Sequence, residues 1–110
     1  MSVSKLIGLL EKVEQYIGQH SFRDGKLLAY LYQSEHSVVY CQSIIRDLDL
    51  SAVSVTRSLK LLSDRDMITL SMDTEDTRKK SVSLTDKGNA LKLQIIEILE
   101  DTHGSKSKSQ

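Results

Sequence analysis

The hydrophobic period changes twice along this chain, and that constrains its fold more than any other feature. Up to about residue 64 the apolar side chains recur at steps of three and four. Between residues 68 and 84 they alternate with polar ones, and from residue 86 the helical step returns. A step of three to four places side chains on one face of a helix, whereas alternation places them on one face of a strand. The pattern therefore predicts an α+β domain, predominantly helical, with one hairpin set among helices. At 110 residues there is room for a single domain and a single core. The absence of proline and the low glycine content favour helices. One Phe and four Tyr are too few aromatics for a large all-β core.

The first helix is expected over residues 3–19, with Val3, Leu6, Leu10, Val13 and Ile17 as its apolar stripe and Ile7 widening it. The spacing is also heptad-like, so the stripe is suited to a partner helix. Ser21 with Asp24 resembles a capping box and opens a second helix, 22–33, with Leu27, Leu28 and Leu31 inward. Val38-Val39 reads as a very short strand or an extended link, and a third helix spans 40–48. Asp49-Leu50-Ser51 then makes a three-residue turn, and Ser51 is a good N-cap for a fourth helix over 52–64. Two short helices joined by such a turn have helix-turn-helix spacing. Ile68, Leu70 and Met72 mark one strand, and Val82 and Leu84 the next. Thr85 caps a last helix, 86–102, in which Leu91, Ile95, Ile98 and Leu99 form one apolar face while Leu93 and Ile96 lie on another. A helix apolar on two sides has two neighbours, here its own domain and a second subunit. The tail 104–110, GSKSKSQ, has the composition of a disordered segment.

The fourth helix carries the chemistry. Ala52, Val55, Leu59 and Leu62 fall on one face, the expected core face. Arg57 points the opposite way, beside Val53, Lys60, Leu61 and Asp64, with Ser54 and Thr56 flanking the outward stripe. An α-helix fits the major groove of B-DNA, where an Arg reads guanine O6 and N7 and a small apolar side chain such as Val53 meets a thymine methyl. Hydroxyls such as Ser51, Ser54 and Thr56, and a helix N-terminus, suit phosphates. The hairpin adds Arg78, Lys79 and Lys80 in succession, a basic tip able to lie over a minor groove. Any surface helix has a polar outer face and any hairpin tip is commonly charged, so neither feature alone establishes DNA binding.

Together, however, they resemble a known family. Leu50–Arg57, LSAVSVTR, is similar to the LSxSTVTR recognition-helix start of the MarR family of bacterial and archaeal regulators. Asp73–Gly88, DTEDTRKKSVSLTDKG, is similar to its wing signature DxxDxRxxxVxLTxxG. The resemblance implies a winged helix-turn-helix homodimer, with the first and last helices forming its base (residues 3–19 and 86–102) and residues 22–84 forming the DNA-binding lobe of one domain, 1–103. It implies that Ser54, Thr56 and Arg57 face the major groove, that Arg78 reaches the minor groove, and that Asp76 is its ion-pair partner. It also implies transcriptional repression, or less often activation, at palindromic sites. The chain departs from the family in having only one helix after the wing, which leaves a small-molecule pocket between base and lobe in question. Thr77 stands where the family often has an Arg, and Leu61 stands on or near the exposed face where a polar residue is usual.

Other classes find less support. The formal net charge is zero, which argues against a histone-like binder while leaving a local basic stripe possible. Cys41 is the only cysteine, so there is no internal disulfide, and the chain suits a reducing cytoplasm, at the nucleoid. A redox role for Cys41 needs a cation beside it, and the local sequence offers only Arg46. His20, His36 and His103 are isolated, so no metal site is expected. No phosphate loop or nucleophile motif points to an enzyme or a cofactor. The opening segment is too short and too charged to span a membrane. Double-stranded DNA and a second copy of the chain are the expected partners. A winged-helix protein-interaction module, or a plasmid or phage protein of replication or partition control, remains open at this level.

Overall fold

A computed structural model describes residues 2–72, 75 and 79–104, the last four of these by backbone alone. The elements run α1 (Val3–Ile17), α2 (Phe22–Gln33), β1 (Val39–Tyr40), α3 (Cys41–Leu48), α4 (Ala52–Asp64), β2 (Ile68–Met72), β3 (Lys80–Leu84) and α5 (Asp86–Gly104). The three strands form an antiparallel sheet in the order β1-β3-β2. Val39, Val82 and Leu70 share one row across it, so the row faces one side and carries the buried Val39 and Val82. The short strand expected at Val38-Val39 forms one residue later, as an edge for β3. Asp76, Thr77, Arg78 and the tail residues 105–110 lie outside the described residues, and with them the expected ion pair of Asp76 with Arg78. Gly104, assigned to the tail from composition, is instead the last residue of α5.

Element ends follow from local chemistry. α1 stops at Gly18, two residues earlier than the periodicity predicts, because Gly18 takes a φ of 68° while its N–H closes on the Glu14 carbonyl at 2.7 Å. α2 begins with a complete capping box between Ser21 and Asp24. Ser51 caps α4, accepting from the Ser54 N–H at 3.1 Å. Tyr40, placed in the third helix from the sequence, serves as its N-cap residue and ends β1.

One core joins all the helices: Val13 and Ile17 of α1, Leu27, Leu28 and Leu31 of α2, Ile44 of α3, Val55, Leu59 and Leu62 of α4, and Leu91 of α5, closed by Met67, Ile68 and Val82. This corrects two expectations. Val13 and Ile17, part of the stripe expected to seat a partner subunit, are 7% and 0% exposed inside this chain's own core. The apolar stripe of α1 is wider than one neighbour can cover: Leu9, Val13, Tyr16 and Ile17 turn inward, and the adjacent arc of Val3, Leu6, Ile7 and Leu10 stays exposed. On α5, Leu91 and Ile95 pack inward, whereas Leu99 is exposed together with Leu93 and Ile96 rather than sharing the inner face. α1 and α5 pack on each other, so both exposed sets belong to one packed pair of helices.

The start of α5 is clamped to the end of α4. The Thr85 hydroxyl donates to the Asp66 carbonyl at 2.6 Å and caps α5 by accepting from the Gly88 N–H at 3.0 Å. The Thr85 N–H donates to the Met67 carbonyl, and Lys87 Nζ donates to the Arg65 carbonyl at 2.9 Å. Asp66 sits in the left-handed region at φ 64°, a conformation that costs a non-glycine residue strain and is held here by the turn around it. A side chain at Gly88 would place its Cβ 2.3 Å from the Met67 carbonyl oxygen, so only glycine permits this approach. The half-buried Tyr32 completes the clamp, its hydroxyl donating to the Gly88 carbonyl at 2.7 Å, and its partial burial raises its pKa. Substituting Gly88→Ala forces this backbone contact apart and is expected to lower stability by about 1–3 kcal/mol, the usual cost of overpacking, in a denaturant titration. Stability equal to the parent's would show that the contact does not hold α5 in place.

Candidate nucleic-acid interface

α3 and α4 pack against each other across the turn 49–51. Asp49 reverses the chain in the left-handed region at φ 54°, and the Leu50 N–H closes the turn on the Ile45 carbonyl at 3.2 Å. Leu48 and Leu50 tuck against the core, which fixes where α4 starts. A hydrogen bond from the Tyr30 hydroxyl to Asp47 at 2.6 Å ties α3 to α2 and, with Arg46 Nε at 3.0 Å, lowers the Asp47 pKa.

The rotation of α4 about its own axis is set by a buried polar contact. Ser58 is 0% exposed; its hydroxyl donates to Asp24 Oδ1 at 2.6 Å and accepts from Arg23 Nε at 2.7 Å. The other carboxylate oxygen of Asp24 accepts the Ser21 N–H of the capping box at 2.8 Å. Burial alone raises the Asp24 pKa, but the hydrogen bonds from Ser58 and Ser21 and the charge of Arg23 outweigh it, and the carboxyl is held below its ordinary value. The sequence missed Ser58, which belongs to the inner face with Val55, Leu59 and Leu62. Ala52, expected on that face, is exposed, because the first helical residue precedes the point where α4 meets the core.

With the inner face so fixed, the outer stripe follows. Val53 is 62% exposed, and Thr56, Arg57 and Lys60 are exposed beside it. No described carboxylate forms an ion pair with Arg57, whereas Lys60 Nζ lies 3.3 Å from Asp64. Ser51 is exposed, and its hydroxyl donates to Ser54 Oγ at 3.0 Å. Ser54 is half-buried, so its side chain belongs to the cap more than to the outer stripe. Leu61, expected on the exposed face, packs partly buried against the core. On the other flank the sheet adjoins α4: Thr56, Lys60, Asp64, Leu70 and Lys80 line a hollow of about 220 Å³ between them. Lys79 is exposed and Lys80 half-buried, at the tip end of the hairpin where Lys80 pairs with Met72. Arg78 lies outside the described residues.

The remaining reactive side chains take structural places. Cys41 is buried, which raises its thiol pKa against a smaller opposing influence of Lys80. Among the described residues no three His, Cys, Asp or Glu side chains group as metal ligands, and no helix is long and apolar enough to cross a membrane. Between the end of α2, β3 and the first turns of α5 lies a hollow of about 260 Å³, with Leu31, Val82 and Leu84 beside Ser83, Asn89 and Lys92. It lies where α5 meets α2 and β3, the junction at which the sequence leaves a small-molecule pocket in question.

Solved structures share this architecture. The chain is similar to the S. aureus MepR–DNA complex, with a TM-score of 0.70 at 22% identity over 97% of this chain and 90% of that one. Reduced AbfR bound to DNA gives 0.67 at 25% identity over 90% and 71%. A MarR transcriptional regulator from Methanosarcina mazei gives 0.68 at 22% identity over 94% and 72%. No family model and no curated protein matches the chain.

The Asp24 contact has a pH signature. Because its pKa is lower in the folded chain than the ordinary 3.8, the stabilisation it supplies is complete above that value and is lost as pH falls through the folded value. Ser58→Ala, which strips a donor from a buried carboxylate, is expected to cost about 1–3 kcal/mol at neutral pH. Urea titrations of parent and variant should converge once the pH is well below 3.8. A stability gap independent of pH would contradict the assignment.

Proposed function

We propose, for a chain with the winged helix-turn-helix fold of the MarR regulators, that it is a sequence-specific double-stranded DNA-binding transcription regulator acting as a homodimer, with repression by promoter occupancy as its mode. The observation that carries this reading is the outer stripe of α4. Val53 and Arg57 stand exposed on a helix whose inner face is fixed, and whose first turns carry no acid. MepR and AbfR have been solved on DNA with this same architecture.

In this reading α4 enters the major groove, Arg57 reads a guanine edge with its two-pronged guanidinium, and Val53 meets a thymine methyl. Ser51 and Thr56 approach phosphates, and Lys60 joins them at the cost of its contact with Asp64. Arg78, with Lys79 and Lys80, extends over the adjoining minor groove, and Asp76 orients Arg78. The exposed arc of Val3, Leu6, Ile7 and Leu10 with Leu93, Ile96 and Leu99 is the two-fold contact, since each such side chain gains about 1.5–3 kcal/mol when fully buried. Val13 and Ile17 support it from within. A two-fold dimer presents its two α4 helices about one helical turn apart, so the bound site is a palindrome. The site of action is the nucleoid.

Duplex DNA selected by the parent protein provides the test. Arg57→Ala should weaken binding by about 1–3 kcal/mol and relax preference at one base pair, whereas Arg78→Ala should weaken all sequences alike and reduce the salt slope by about one. Parent-like binding by both variants would remove the site assignment, and failure of the parent to bind any duplex would leave a protein-interaction module instead. For the base, Leu6→Lys combined with Leu10→Lys is expected to give a monomer by sedimentation with its helical content intact. A dimer of unchanged strength would move the two-fold contact elsewhere.

A further inference from the structure

The geometry points to Arg23, at the start of α2, as a further DNA-contacting residue that grips the phosphate strand on the flank of α4 opposite the hairpin. This rests on the DNA-binding reading above and adds to it a side chain that neither the recognition helix nor the wing contains.

A helix lying in a major groove about 12 Å wide has a phosphate strand along each flank. On one flank of α4, Thr56 and Lys60 face Leu70 and Lys80 across the hollow, so the hairpin supplies cations there. The other flank carries the half-buried Ser54, and Ser58, four residues on, lies one turn away at the buried edge of the inner face. Against it lies α2, whose first turn brings Arg23 onto Ser58.

Three features suit Arg23 to a phosphate. Its side chain is one-third exposed, so the guanidinium is neither sealed in the core nor free in solvent. Only its Nε is spent on Ser58, at 2.7 Å, and its Nη2 stands 3.9 Å from Asp24 Oδ1, beyond hydrogen-bond reach. The planar end thus keeps donors for an incoming oxygen, in the fork geometry that phosphate recognition uses. The anchorage on Ser58 also holds the group in place before binding, which reduces the ordering cost of the contact. Asp24, 3.9 Å from Nη2, offsets part of the Arg23 charge but does not compete for its outer donors: its two oxygens accept from Ser58 and from the Ser21 N–H, and the carboxylate is 5% exposed. In a chain of zero net charge, a cation held beside the recognition helix matters more than a mobile one.

The test measures binding of mixed-sequence duplex DNA by the full chain across a range of salt, together with thermal stability. Arg23→Gln is expected to lower the slope of log K against log salt by about 0.9 per protomer engaged, which extrapolates to an affinity loss of roughly tenfold per protomer in 0.1 M salt. Arg23→Lys keeps the charge and should restore most of the slope. Ser58→Ala keeps the charge but frees it, and should weaken binding with the slope retained. A purely structural role for Arg23 predicts a lower melting temperature with the parent's salt slope, and that result would overturn the inference while leaving the DNA-binding reading intact. A parent protein that binds no duplex overturns both, and Arg57→Ala, read for base preference rather than salt slope, keeps the two failures apart.

Discussion

The hydrogen bond between Ser58 and Asp24 decides what this molecule presents to its surroundings. α4 is a short helix, and the apolar residues Val55, Leu59 and Leu62 would tolerate some rotation about its axis on a side-chain surface of similar size. A buried hydroxyl bonded at 2.6 Å to a buried carboxylate does not, because a small rotation leaves both groups unsatisfied. The carboxylate is itself fixed by the capping box that starts α2. One polar contact therefore registers α2 against α4 and, by doing so, aims Val53 and Arg57 outward.

The second constraint runs along the chain rather than across it. α4 ends in a turn whose carbonyls, those of Arg65, Asp66 and Met67, are all taken by the first turn of α5. Gly88 allows the close approach that this requires. Because α5 also packs on α1, the exposed apolar arc of the two helices stands in a fixed relation to α4. In a dimer built on that arc, the separation of the two recognition helices is determined by a few backbone contacts near Met67. The Thr-x-x-Gly of the wing signature thus has a mechanical meaning here, in the Thr85 cap and the Gly88 contact.

Much of this was legible in the residues. The bounds of α4 were readable because Ser51 caps a helix and Asp49-Leu50-Ser51 cannot continue one, and the hairpin was readable from its alternation. What escaped depended on partners distant in sequence. Ser58 reads as an ordinary surface serine until Asp24, 34 residues away, is brought beneath it. Val13 and Ile17 share a stripe with Leu6 and Leu10, and periodicity does not tell which part of a wide stripe its own core will cover. Leu61 looked exposed because its cover comes from elsewhere in the fold. The cation whose charge acts on Cys41 is Lys80, not the Arg46 that the local sequence offers. Arg23 had one local signal, an arginine beside a capping-box acid, but its place next to α4 is a tertiary fact.

The proposed function stands or falls with the outward stripe of α4 reading DNA in a two-fold assembly. Selection of bound sites from random duplex DNA by the purified full chain tests it most directly. The expected result is enrichment of a palindrome whose half-sites lie about one helical turn apart, about 10–10.5 base pairs centre to centre. Recovered sequences indistinguishable from the starting pool would contradict it.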